Sequence, residues 1–219
     1  GLFGKKVIVA KTKELMDSGD LATLNIKSIV LTYDDIVKKT QKGNSYEDEL
    51  KFLFSHSGRN NFIKNLALSL KGNTLLIFSR VEHGKELYEL VKSKSENPTY
   101  LIYGKVHEDD REQIRKIVNT HEHSITFGSM LTSSTGINIP NLHNIVFIAP
   151  SKSRVKVMQS IGRGTRVTET KTSFTLYDIA DDLSWKRWKN YTLEHYLERI
   201  KMYISEKLKY KQYNVRIKE

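Results

Sequence analysis

The chain alternates between two hydrophobic patterns, short continuous apolar runs and longer stretches with apolar residues at helical spacing. The apolar runs are rich in β-branched and aromatic residues, which favours strands. Six such runs occur, at 26–33, 74–79, 99–103, 123–128, 144–149 and 173–180. Helical patterns separate most of them, at 81–94, 108–120 and 153–162. This alternation predicts an α/β fold, a three-layer domain with a mostly parallel sheet flanked by helices.

Two further helices are predicted between the first two strands. The stretch "SYED" at 45–48 is a capping box with Ser45 as the N-cap. It opens a helix with apolar positions at Leu50, Leu53 and Phe54. Gly58 is expected to interrupt this helix. A second helix then follows, with the apolar positions Phe62, Ile63, Leu66 and Leu70.

The C-terminal part of the chain has a different pattern, so we divide the chain into a domain at 1–182 and a helical extension at 183–219. The stretch "TLEHYLERIKMYISEKLKY" predicts an amphipathic helix that docks on the domain. Its apolar stripe consists of Leu193, Tyr196, Leu197, Ile200, Tyr203, Ile204 and Leu208. The stretch "YNVRI" after it indicates a short terminal strand.

The net charge of the chain favours the binding of a polyanion. The chain has 219 residues with 36 Lys and Arg against 25 Asp and Glu, a net charge of +11. The extension alone has ten basic and four acidic residues, a net charge of +6, with Tyr and Trp interleaved. This composition favours nucleic acid and is also typical of a solvated helix face. The chain contains no Cys, which excludes disulfides and cysteine zinc sites.

The stretch "QSIGRGTR" at 159–166 is the main candidate for chemistry. Arg163 and Arg166 are three residues apart and project from one side of a helical turn, next to Gly162. Like charges so close repel each other unless an anion lies between them, and by themselves they are also typical of a solvated basic turn. This stretch and "GSMLTSSTGINIP" at 128–140 both follow predicted strands. Ligands of parallel sheets bind beyond the carboxyl ends of strands, where both stretches are expected.

Several kinds of active site are missing from the sequence. The three Gly-Lys pairs at 4–5, 84–85 and 104–105 lack the rest of a P-loop, and no Asp-Glu pair ends an apolar strand. A serine-hydrolase elbow is also absent. We expect no metal site, because His121 and His123 have no obvious further ligands. No apolar run is long enough to span a membrane. A start at Gly1 rather than Met is expected of a processed, tagged or excised fragment.

Three stretches together resemble the second RecA-like domain of superfamily-2 helicases. "TLLIFSRVEHGKELYELV" resembles motif IV, "ITFGSMLTSSTGINIPNLHNIVFIAP" resembles motif V, and "QSIGRGTR" matches the motif VI pattern Q-x-x-G-R-x-x-R in full. They occur in the family's order and span about half the chain. The flanking stretches are similar to those of the recombination-repair DNA helicases of T-even phages and their relatives.

The resemblance implies a nucleotide-facing set of residues. Arg166 corresponds to the arginine finger, and Arg163 to a second contact with the γ-phosphate. Gln159 and Gly162 belong to the same motif and are expected near the nucleotide. Gly136 and Asn138 are expected to line the cleft near the ribose, with Asn138 in the place of a commoner Asp.

A second set is implied for DNA. In motif V, Ser129 is expected to hold a phosphate and Thr135 to contact nucleic acid, although Thr135 stands where many relatives have Arg. In motif IV, Ser79 and Arg80 are expected phosphate contacts. The preference for DNA over RNA follows from the resemblance, because phosphate contacts are alike in both.

The resemblance implies the C-terminal motor domain of an ATP-dependent DNA helicase that acts on branched DNA in recombination and repair. ATP and Mg²⁺ are expected in the full-length enzyme, held mainly by an N-terminal RecA-like domain, so this chain alone should be inactive. We expect a monomer in the cytoplasm, of an infected host if the gene belongs to a phage. Three alternatives are a restriction-type translocase domain, a nucleic-acid-binding module without motor activity, and a doubly wound domain that binds a small phosphorylated ligand.

Overall fold

A computed structural model describes residues 23–130, 141–148 and 173–218 of the chain. Its centre is a seven-stranded sheet in the order β3-β4-β2-β5-β6-β1-β7, in which every neighbouring pair is parallel. The strands are β1 (Thr23–Thr32), β2 (Thr74–Phe78), β3 (Thr99–Ile102), β4 (Ile125–Ser129), β5 (Asn144–Phe147), β6 (Ser173–Asp182) and β7 (Tyr210–Arg216). All six strands predicted from apolar runs are present. The terminal strand indicated by "YNVRI" is also present, as the edge strand β7.

Helices cover both faces of this sheet. Their bounds are α1 (Asp35–Gln41), α2 (Tyr46–Ser55), α3 (Ser57–Ser69), α4 (Val81–Lys92), α5 (Glu108–Thr120) and α6 (Tyr191–Ser205). Ser45 caps α2 as predicted, because its hydroxyl accepts a hydrogen bond from the backbone N–H of Asp48 at 3.2 Å. Helix α1 buries none of its residues, and no hydrophobic pattern in the sequence predicted it.

Two apolar layers, one on each side of the sheet, form the core. One layer packs α5 and α6 against the sheet around Leu75 and Ile145, and the other packs α3 and α4 around Leu76 and Phe127. All five residues of β2 are buried, as expected of a strand covered on both faces. The fold class is therefore confirmed as a three-layer, RecA-like α/β domain. Within the described ranges, no helix combines the length and the apolarity needed to cross a membrane.

The prediction that Gly58 interrupts the helices was wrong. The break lies at His56, whose side chain accepts a hydrogen bond from the Arg59 N–H and caps α3. Gly58 lies inside the first turn of α3, against the end of the chain. A Cβ at this position would lie 2.0 Å from the carbonyl oxygen of Lys218. The glycine therefore permits a close backbone contact rather than a helix break.

The buried face of α6 differs from the predicted stripe. Ile204 is 63% exposed, although the pattern predicted it in the docking face. Tyr196 and Tyr203 are buried as expected, but they are joined by Thr192, Arg199 and Met202. The helix is rotated towards these residues because Arg199 binds Asp178 of β6, with Nη2 2.8 Å from Oδ1. A hydrophobic stripe alone does not predict a buried arginine.

Candidate functional site

The carboxyl ends of three neighbouring strands, β3, β4 and β2, enclose a cavity of about 270 Å³. Ser79 follows β2 directly and Ser129 ends β4, and both line this cavity. The register pairs Phe78 with Ser129, so the two serines lie on adjacent strands at the same edge. The structure thus brings together two of the residues predicted to contact phosphate, at the edge where parallel sheets bind ligands.

Two lysines and a tyrosine that the sequence analysis did not single out share the cavity. Lys85 comes from α4, and Lys105 from the turn after β3. The ammonium of Lys85 lies 5.0 Å from the centroid of the Tyr103 ring, within cation–π distance. These lysines belong to two Gly-Lys pairs that we had considered only as P-loop fragments. Their place in the sequence could have identified them. Lys105 follows the strand β3, and Lys85 lies in the helix that follows the strand β2.

Gly84 allows α4 to lie close to the end of β2. A Cβ at this position would lie 2.6 Å from the ring of Phe78, so any larger residue would push the helix away from the strand. The close approach brings Val81, the first residue of α4, into the lining of the cavity. The N-terminus of a helix carries partial positive charge, which favours an anion at this edge.

Arg80, the third phosphate contact predicted in the described ranges, does not line the same cavity. Its guanidinium binds the carboxylate of Glu47, with Nη2 2.6 Å from Oε2, and both side chains are about half exposed. The pair lies over a neighbouring groove of about 350 Å³ between α2 and α4. A phosphate in the cavity of Ser79 and Ser129 would have to compete with Glu47 for the guanidinium of Arg80.

The floor of this neighbouring groove contains His83, a neutral histidine. Burial, and to a smaller extent the positive charge of Arg59, lowers the pKa of His83 to about 3. Its ring stacks on Phe54 with a centroid separation of 4.5 Å, and its Nε2 lies 3.0 Å from Asn60 Oδ1. These contacts give His83 a packing role between α2, α3 and α4 at physiological pH.

A buried ion pair supports the carboxyl edge of the central strands. Arg59 of α3 donates two hydrogen bonds to Asp181 of β6, from Nε at 2.9 Å and from Nη2 at 3.1 Å. The same Nη2 lies 3.4 Å from the carbonyl oxygen of Ile148, one residue beyond β5. The hydroxyl of Tyr33 donates to Asp181 at 2.7 Å. The carboxylate of Asp181 is therefore fully engaged in holding α3, β1 and β6 together.

The remaining predicted site residues lie outside the described ranges. They are Thr135, Gly136, Asn138, Gln159, Gly162, Arg163 and Arg166. The segments that contain them, 131–140 and 149–172, follow the carboxyl ends of β4 and β5.

The described residues form no cluster suited to hold a metal ion. His123 accepts a hydrogen bond from the Gly72 N–H at 2.7 Å, and His121 Nε2 lies 3.1 Å from the Tyr100 hydroxyl. Asp178 and Asp181 bind buried arginines. These two carboxylates do not fit a Mg²⁺ ion, because they are buried and already paired, whereas Mg²⁺ needs octahedral oxygen ligands and retains several waters.

Comparison with known proteins gives one family and two informative solved structures. The model of the helicase conserved C-terminal domain matches residues 58–168. The chain is 32% identical over 223 residues to the ATP-dependent DNA helicase uvsW of Enterobacteria phage T4, and the match covers 96% of the chain and 44% of that helicase. The crystal structure of T4 UvsW matches with a TM-score of 0.76 and 29% identity, over 90% of the chain and 42% of the UvsW chain.

A more distant match shows the fold alone. The ATP-dependent Type ISP restriction-modification enzyme LlaBIII bound to DNA has a TM-score of 0.62 and 13% identity, and the match covers 93% of the chain and 16% of the enzyme. The chain spans less than half the length of each of these proteins.

Proposed function

Because the chain belongs to the helicase conserved C-terminal domain family, we propose that it is the second motor domain of an ATP-dependent DNA helicase acting on branched DNA in recombination and repair. The observation that carries this proposal is the cavity at the carboxyl edge, where motif IV and motif V residues meet. The 32% identity with a DNA helicase over nearly the whole chain favours this function over a restriction-type translocase. The proposal assigns residues 1–182 to the motor domain and 183–219 to an extension.

On the nucleotide side, we assign Arg166 as the arginine finger and Arg163 as a second γ-phosphate contact. Gln159, Gly162, Gly136 and Asn138 complete the set facing the nucleotide. ATP with Mg²⁺ supplies the phosphoryl group, and an N-terminal RecA-like domain holds both, because the described carboxylates here do not fit the metal. Arginine suits this role because its planar guanidinium can bind two phosphate oxygens at once.

On the DNA side, Ser79 and Ser129 are assigned to a backbone phosphate at the carboxyl-edge cavity. Lys85 and Lys105 line the same cavity and outnumber its one carboxylate, Glu82, so a net positive charge favours phosphate without reading sequence. Thr135 belongs to the same motif as Ser129. Arg80 joins the set once phosphate displaces Glu47 from its guanidinium.

One domain that contacts both DNA and ATP can couple hydrolysis to movement. The arginine finger must cross the cleft between two domains, so hydrolysis depends on closure of that cleft. DNA held by Ser129 then moves relative to the N-terminal domain in each cycle. The motor would work as a monomer in the cytoplasm of an infected host.

Steady-state ATPase assays test this proposal. The 219-residue chain should hydrolyse ATP no faster than buffer, because its sequence contains no P-loop and no Asp-Glu box. The longer protein, with its N-terminal RecA-like domain, should hydrolyse ATP at a rate that DNA increases. ATP hydrolysis by the chain alone, or a longer protein indifferent to DNA, would contradict the proposal.

A further inference from the structure

A second groove lies at the opposite edge of the sheet, where β1, β6 and β7 begin. Its volume is about 800 Å³, and the described part of its lining contains no acidic residue. The lining includes three lysines, two tyrosines and a threonine, namely Lys27, Lys209, Lys211, Tyr210, Tyr213 and Thr175. This groove is separate from the carboxyl-edge cavity, because parallel strands have all their amino ends at the other edge.

The strand register aligns part of this lining on one face of the sheet. Tyr177, Lys27 and Lys211 are register partners across β6, β1 and β7, so they form a single row. The ammonium of Lys27 lies 5.3 Å from the centroid of the Tyr177 ring. Tyr213 is two residues beyond Lys211, so it extends from the same face, and it is 44% exposed. Cations and an accessible aromatic ring therefore follow one another along the groove.

Lysines on an edge strand have a second explanation. β7 is the last strand in the sheet order, and lysine on an edge strand discourages pairing with another chain. This explains Lys209 and Lys211 but not Lys27, which is on the interior strand β1. Lys27 is only partly exposed, and among the described residues neither it nor the other two lysines forms an ion pair. Three such ammonium groups around one groove create a positive potential that an anionic ligand would relieve.

We propose that this groove binds single-stranded nucleic acid at a site separate from the motor site. Phosphates of the strand would lie along Lys27, Lys209 and Lys211, and one base would stack on Tyr213. A backbone-tracking row of cations beside exposed aromatic rings is the arrangement that binds single strands without sequence preference. A domain with sites at both edges of its sheet can hold two strands of a branched substrate at once.

The test measures binding of a fluorescein-labelled oligo(dT), about 12 nucleotides long, to the 219-residue chain by fluorescence anisotropy. The groove variant is Lys27→Gln with Lys209→Gln and Lys211→Gln. The matched control is Lys92→Gln with Lys94→Gln and Lys116→Gln, three exposed lysines of α4, α5 and the turn between α4 and β3. Both variants lose three positive charges, so they separate the groove from the general field of the protein.

Salt dependence gives the decisive reading. Each phosphate contact with a single strand contributes about 0.7 to the slope of log K against log salt concentration. The magnitude of this slope should therefore be smaller by about 2 in the groove variant than in the wild type, and the control variant should have the wild-type slope. Between 50 and 200 mM salt, wild-type affinity should fall about 20-fold more than that of the groove variant.

Tyr213 provides an independent reading. Tyr213→Ala should weaken binding roughly 5-fold or more at every salt concentration without changing the slope, because a stacked base carries no counterion term. Tyr213→Phe should bind like wild type, since the ring is retained. Circular dichroism melting of each variant verifies that the fold is intact.

Three outcomes would overturn the proposal. Equal loss of slope in the groove and control variants would mean that only the general charge matters. A groove variant that binds DNA normally but aggregates would mean that the lysines protect the sheet edge. Groove-dependent binding to polyglutamate or phosphatidylserine vesicles, without such binding to oligo(dT), would identify a different occupant. None of these assays involves ATP, so a result that contradicts the groove proposal does not bear on the proposed motor function. An ATPase result that contradicts the motor function likewise does not bear on the groove.

Discussion

At the scale of single residues, two aspartates of β6 bind arginines from two helices that lie on opposite sides of the sheet. Asp178 binds Arg199 of α6, and Asp181 binds Arg59 of α3. The two aspartates are three positions apart in a strand, so they point to opposite faces. Burial, reinforced by the charge of Asp181, raises the pKa of Tyr33 well above its usual value, so its phenol remains a hydrogen-bond donor. β6 thus anchors both helical layers through buried charges.

Removal of one partner from such a pair should cost more stability than removal of both. Arg59→Met leaves the buried Asp181 without its counter-charge, so we expect the free energy of unfolding to fall by about 3–5 kcal/mol. The double variant Arg59→Met with Asp181→Leu should recover much of this loss, because no uncompensated charge remains. Urea denaturation monitored by circular dichroism measures both.

The control for this pair is Lys64→Met, which removes a cation from the exposed surface of the same helix α3. It should change the free energy of unfolding by less than about 0.5 kcal/mol, as surface substitutions usually do. An Arg59→Met variant that is as stable as this control would mean that the ion pair contributes nothing to the fold.

At the scale of elements, α2 and α6 are joined by a carboxylate at a helix N-terminus. The buried side chain of Glu49 in α2 accepts hydrogen bonds from the backbone N–H groups of Tyr191 and Thr192, at 2.9 and 2.8 Å. Its Oε1 also accepts from the side-chain amide of Asn190 at 2.9 Å. A negative charge here complements the helix dipole and satisfies N–H groups that the helix leaves unpaired.

Loss of this carboxylate should loosen the C-terminal extension. Glu49→Ala should lower the free energy of unfolding by about 2–3 kcal/mol, because it leaves buried donors without a charged acceptor. Hydrogen exchange should rise first in α6 and β7, the two elements held through this contact. Glu47→Ala is a suitable control on the same helix, since its carboxylate is 60% exposed. Uniform exchange rates in Glu49→Ala and the control would contradict the capping role.

Hydrophobic periodicity was sufficient to predict most elements. The strand β2 and the helix α5 follow directly from an apolar run and an amphipathic pattern. Two predictions failed because of contacts that this pattern does not contain. Gly58 allows a close contact with the carbonyl group of Lys218, and the binding of Arg199 to Asp178 sets the rotation of α6. Contacts between residues far apart in sequence leave no local signature.

The candidate site was predictable to a similar extent. Ser79 and Ser129 were predicted from the resemblance to motifs IV and V, and in the structure both line one cavity at the carboxyl ends of neighbouring strands. Lys85 and Lys105 were missed because their contribution comes from folding rather than from a recognisable motif. The ion pair between Arg80 and Glu47 links residues 33 positions apart, and no local pattern indicates it.

At the scale of the whole molecule, the two edges of one parallel sheet carry different candidate functions. The carboxyl edge has the cavity lined by Ser79 and Ser129, and the amino edge has the lysine groove of β1 and β7. The net charge of +11 favours nucleic acid at both edges. On our proposal, ATP hydrolysis acts only through the carboxyl edge and not through the lysine groove.

The most direct test of the motor assignment is the DNA-stimulated ATPase activity of the full-length protein with Arg166→Ala. We expect kcat to fall by roughly 10³ or more with a smaller change in KM, because an arginine finger stabilises charge that develops in the transition state. Arg166→Lys should recover little, and DNA binding without nucleotide should survive both changes. Arg187→Ala, at an exposed position between β6 and α6, should keep wild-type kcat. An Arg166→Ala protein with near-normal kcat would contradict the assignment of the arginine finger.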